Sequence, residues 1–162
     1  MAPLVECVPN FSDGRNPAVL EAIVSALRCH PVWLLDVESD ADHNRSVVTF
    51  AGTPEAVSGA MLSAAAVAIE HISLEQHSGV HPRVGAVDVV PFVPLRETTL
   101  AECAALAREF GQRAAETLDL PVYLYEAAAT RPERRPLPAI RSLGYERLCA
   151  GIGHHSSLAP DF

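Results

Sequence analysis

Lysine is missing from this chain: all 12 of its basic residues are arginine, and the formal net charge is -8. An acidic surface repels nucleic acid and anionic lipid, so neither is an expected partner. No apolar run approaches the roughly 20 residues that a membrane span needs. The start, "MAPLVECVPNFSDG", carries no basic stretch ahead of its apolar residues. No signal peptide is read, and a cytoplasmic protein is expected. The four cysteines, Cys7, Cys29, Cys103 and Cys149, contain no C-x-x-C pair. A zinc or dithiol redox motif is therefore not expected, and the cysteines should pack as small hydrophobes. G-x-S-x-G is absent, and the glycines do not follow the phosphate-loop or dinucleotide patterns.

What is present is apolar residue in quantity, 49% of 162 residues, enough for one domain with a sizeable core. The chain alternates regularly. "LVECV" predicts a first strand. Asn16-Pro17 supplies a capping side chain followed by a residue with no amide to leave unsatisfied. Val19, Leu20, Ile23, Val24 and Leu27 then form one helical face. "VWLLDV" reads as a buried-type strand and "SVVTFA" as the next. Thr53-Pro54 opens a second helix, rich in small residues, that should end near His71. A strand is predicted over 86–93. Thr99 and Glu102 form a capping box for a third helix. "VYLYE", over 122–126, predicts a fifth strand, and a short helix follows around 139–148.

The order strand, helix, strand, strand, helix, strand is that of the split βαβ. The expectation is an α+β, ferredoxin-like two-layer sandwich. Its mixed sheet carries helices on one face and is extended by an extra helix and strand. Residues 1–162 should form a single domain.

The stretch "HSGVHPRVGAVDVVPFVP" bears the candidate chemistry. His77 and His81 are four apart, as ligands on one helix face would be, but Gly79 and Pro82 oppose a continuous helix there. A neutral imidazole at His81 can accept a proton near neutral pH. Arg83 and Arg45 could hold a carboxylate, because a guanidinium grips both oxygens. Asp88, in mid-strand, needs a partner and could orient a histidine. From the residues alone, a catalytic loop, a metal site built on His77, His81 and Asp88, and surface histidines beside a turn-tying aspartate all stay open.

The segments "LVECVPNFSDGRN", "NRSVVTFAGTPEAV", "HSGVHPRVGAVDVVPFVPL", "AREFGQRAAETLDLPVYLYEAAA" and "RPLPAIRSLGYERL" resemble the N-terminal subdomain of glutamate formiminotransferase, the transferase half of formiminotransferase-cyclodeaminase. The resemblance runs from Leu4 to Phe162. It implies transfer of a formimino group from N-formiminoglutamate to N5 of tetrahydrofolate, which acts as co-substrate, with no metal required. The family's catalytic histidine matches His81. An acidic site residue, usually aspartate, falls on Glu38. Asn10, Asn44, Arg45, Arg83 and Asp88 match polar positions and are expected to bind substrate or folate. The family's transferase has a second subdomain with folate held between the two, and the resemblance implies that residues 1–162 correspond to the first alone. A lone subdomain is expected to pair with another chain or with a copy of itself. The competing expectation is a non-catalytic folate-binding or interaction module of the same fold.

Overall fold

The computed structural model describes residues 2–80 and 82–162. Its sheet is built from β1 (Leu4–Cys7), β2 (Asn10–Phe11), β3 (Trp33–Asp40), β4 (Arg45–Gly52), β5 (Val87–Val89) and β6 (Phe92–Arg96). Three long helices accompany it: α1 (Pro17–Arg28), α2 (Pro54–His71) and α3 (Leu100–Leu118). Two short ones close the chain, α4 (Leu137–Arg141) and α5 (Tyr145–Gly151).

The helix starts are where local chemistry puts them. The Asn16 side chain accepts the Ala18 amide, the Thr53 hydroxyl accepts that of Ala56, and Thr99 and Glu102 make the reciprocal capping box. The Glu102 carboxyl is held below its ordinary value by the Thr99 hydroxyl and amide that donate to it.

β4 is the central strand. It pairs with β3 on one side and with β1 and β2 on the other; β6 lies beyond β1 and β5 beyond β2, and each pairing is antiparallel. The predicted strand over 86–93 is two strands, broken at Val90 and Pro91. The break matches the one between β1 and β2 at Val8 and Pro9, and the Val8 amide reaches the Pro91 carbonyl at 3.4 Å.

All three long helices cover one face. Val5, Cys7 and Phe11 of β1 and β2, with Val48 and Phe50 of β4, meet Ile23 and Leu27 of α1 and Met61 of α2 in one core cluster. Alanines at 60, 64, 65 and 68 bring α2 close to the sheet. Phe92 and Phe110 join β6 to α3 edge to face, with centroids 5.5 Å apart.

Among the described residues no helix of the three lies on the other face. β3 is thus not the buried strand its composition predicts: Trp33 is 59% and Leu35 56% exposed. It is an edge strand with a register shift at Leu35; Val32 and Leu34 pack against the core, while Trp33 and Leu35 look outward. Cys7 and Cys103 pack as expected, but Cys29 and Cys149 are exposed free thiols.

The predicted fifth strand over 122–126 is not formed. The Val122 and Leu124 amides donate instead to the Phe162 carbonyl and the Asp161 carboxylate, so the chain's last residues take the place of a sheet partner. The predicted helix over 139–148 is two helices, because Gly144 adopts φ 67° and breaks the ladder. Among the described residues no helix is long and apolar enough to cross a membrane.

Candidate functional site

Cross-strand register builds the site. Glu38 of β3 lies opposite Val47 of β4, Val47 opposite Asn10 of β2, and Asp40 opposite Arg45. Directly paired residues point to the same side of a sheet. Glu38, Asp40, Arg45 and Asn10 therefore share one face. The neighbouring pair, Phe11 and Ser46, is buried on the helix side, so this is the uncovered face. The Arg45 Nε is buried and has no hydrogen-bond partner among the described residues. The Asn10 side-chain nitrogen donates to the Val8 carbonyl at 3.3 Å.

Asp40 is held below its ordinary carboxyl value first by the His43 amide and then by the His43 ring, whose Nδ1 lies 2.7 Å away. These contacts shape the tip of the β3–β4 hairpin. Asn44 stands next to it in the left-handed region, φ 51°. Its side-chain oxygen accepts the Gly14 amide at 3.0 Å, its nitrogen donates to the Ser78 carbonyl at 3.2 Å, and its carbonyl accepts from His77 Nε2 at 2.9 Å. Asn44 thus ties three loops together at one end of the sheet. Its amide is consumed by that work.

Close approach makes this junction sensitive. A Cβ on Gly14 would collide with the carbonyl oxygens of Asp40 and Arg45 and with the Arg45 amide, all backbone atoms. Gly14→Ala should cost about 3 kcal/mol, the upper end of ordinary overpacking. Urea denaturation of the variant measures it, and a loss below about 1 kcal/mol would show that the hairpin can give way.

The second half of the site is the loop 82–86, reached through Asp88. The Asp88 side chain is fully buried; Oδ1 accepts the Val84 amide at 2.9 Å, and Oδ2 accepts Arg141 Nε at 3.1 Å and Nη2 at 2.8 Å. Arg83 donates to Glu146 at 2.8 Å and stacks on Tyr145, whose own amide donates to the Arg83 carbonyl. Helices α4 and α5 therefore brace the loop from both ends. His81, expected to be the catalytic residue, lies outside the described residues.

The structure thus brings Glu38, Arg45 and Asn10 together on one face. It uses Asn44, Asp88 and Arg83 in holding loops. Arg141, Tyr145 and Glu146 carry no sequence expectation. The hint of Arg141 was that a mid-strand aspartate needs a partner, read as a histidine, and the sequence does not point to one of its 12 arginines. His77 spends Nε2 on a backbone carbonyl, and among the described residues no group of three or more His, Cys, Asp or Glu could hold a metal.

The candidate site is thus an antiparallel sheet face with a polar cluster at one end and the loop 82–86 braced beside it. The profile of the formiminotransferase domain, N-terminal subdomain, matches residues 4–162, and the chain belongs to that family. It is 54% identical over 149 residues to formimidoyltransferase-cyclodeaminase of Gallus gallus, covering 91% of this chain and 28% of that protein. It is 46% identical to glutamate formimidoyltransferase of Thermoplasma acidophilum, covering 98% and 53%, and 44% identical to that of Streptococcus pyogenes, covering 90% and 49%. The chain spans about half the length of these relatives or less.

Proposed function

We propose that this chain is the N-terminal half of a glutamate formimidoyltransferase, moving a formimino group from N-formimino-L-glutamate to N5 of tetrahydrofolate. The observation that carries the reading is the set of Glu38, Arg45 and Asn10 on a sheet face that no helix covers. We assign His81 as the general base. It takes the N5 proton as N5 bonds to the formimino carbon, then gives a proton to the glutamate nitrogen as the carbon–nitrogen bond to it breaks. Positioning two substrates together supplies much of the rate.

Arg45, with its unclaimed Nε, suits a substrate carboxylate. Arg83 would have to leave Glu146 to do so, and Glu146, 71% exposed, is a partner that water can replace. Asn44 and Asp88 contribute by holding the loops on which the cleft is built. The strand order supports a ferredoxin-like split βαβ half, and the uncovered face, with Trp33 and Leu35 exposed, is where the second transferase subdomain would seat. A cytoplasmic setting fits four free thiols.

Two assays test this. With the second subdomain supplied in the same chain, His81→Ala should lower formation of 5-formimidoyltetrahydrofolate by at least 100-fold at unchanged fold; equal rates would remove the assignment. The 162-residue chain alone should bind 5-formyltetrahydrofolate weakly in a calorimetric titration. Tight stoichiometric binding would show that one half suffices and would favour the folate-binding module.

A further inference from the structure

On the helix side of the sheet, bounded by the end of α2, residues 84–92, α3 and the segment that follows it, lies a cavity of about 710 Å³. Ala107 of α3, Phe92 of β6, Leu124, Ile140 of α4 and Leu148 of α5 line it, and its walls are dominated by such aliphatic and aromatic side chains. That volume falls within the roughly 300–1,000 Å³ of small-molecule sites. One hydroxyl stands out. The Tyr125 side chain lines the cavity, and its OH is buried with no hydrogen-bond partner among the described residues. A buried hydroxyl without a partner is costly, and apolar walls hold water poorly.

We infer that this cavity binds a neutral, mostly hydrocarbon molecule bearing one hydrogen-bond acceptor, which receives the Tyr125 hydroxyl. Burial pushes the Tyr125 phenol well above its ordinary value, so it stays a donor at any physiological pH. The exposed carboxylates of Glu75 and Glu126 also line the cavity and disfavour an anion. Formiminoglutamate and folate are anionic, so the ligand inferred here is neither of them, although Val84, Gly85, Asp88 and Tyr145 of the braced loop also line the cavity.

Nile red, neutral and carrying a carbonyl acceptor, is a suitable probe. Fluorescence titration of the intact chain should give saturable, blue-shifted binding at one site. Ala107→Phe, which fills the cavity, should weaken it at least tenfold. Tyr125→Phe should weaken it three- to tenfold without lowering Tm. Leu35→Ser, on the uncovered sheet face, should change nothing, and the anionic 1-anilinonaphthalene-8-sulfonate should bind at least tenfold more weakly. Absence of saturable binding overturns the inference. So does loss of binding in Leu35→Ser, or binding unchanged in Tyr125→Phe, which stands as a test even if Ala107→Phe does not fold.

Discussion

Replacing Arg134 with alanine should destabilise the protein by about 3–5 kcal/mol, the cost of removing one member of a buried ion pair. Arg134 and Asp161 keep only 5% and 4% of their side-chain surface in water and meet at 2.8 Å. Arg134 also donates to the carbonyls of Ser157 and Ala159 and lies over the Tyr123 ring, 4.9 Å from its centroid. Asp161 accepts the Leu124 amide and the Thr130 hydroxyl. The pair clasps the C-terminal residues to the segment after α3. Thermal denaturation gives the loss, and hydrogen exchange at Val122 and Leu124 should rise with it. Protection unchanged in the variant would mean that the clasp holds nothing.

The same pair sets an acid limit. Burial raises the Asp161 carboxyl, but the Thr130 hydroxyl, the Leu124 amide and Arg134 outweigh it, and the group sits below its ordinary value of 3.8. A depressed carboxyl contributes its stability in full above the unfolded value and loses it as pH falls through the folded one. Stability should hold above about pH 5 and drop below about pH 4. Asp161→Asn should flatten that drop. An acid limb as steep as the parent's would assign it elsewhere.

The second large effect is expected at Arg141. Arg141→Ala takes the guanidinium from a fully buried Asp88 carboxylate and should cost about 3 kcal/mol, the low end for buried pairs because Arg141 keeps a quarter of its surface exposed. The double variant Arg141→Met with Asp88→Asn should recover part of the loss, since the buried charge goes with its partner. In the transferase proposed above, with the second subdomain supplied, Arg141→Ala should lower kcat more than it raises KM, with Arg141→Lys restoring some of it. An unchanged kcat would confine Arg141 to stability.

What the sequence made legible was local. Asn16, Thr53 and Thr99 start helices through bonds to residues two or three positions on, and such bonds are visible in a row of letters. Burial was less so. "VWLLDV" is apolar, yet whether Trp33 is covered depends on what lies over the sheet's second face, which no window of residues records. "VYLYE" has strand composition, but its amides are taken by Asp161 and Phe162, nearly forty positions away in the case of Leu124 and Asp161. The candidate site divides the same way. Glu38 and Arg45 were nameable from the family pattern. The loop brace from Arg141, Tyr145 and Glu146 joins residues more than fifty positions apart and shows only in space.

The sheet's margins also carry a consequence for association. Pro94 interrupts β6 with a residue that has no amide hydrogen, and the β3 margin is kinked at Leu35 and lined with carboxylates at Asp36, Glu38 and Asp40. Neither border offers the uninterrupted row of donors and acceptors that a foreign strand would need to zip on. Edge-to-edge strand addition at these two borders is thereby discouraged, which favours company that arrives broadside.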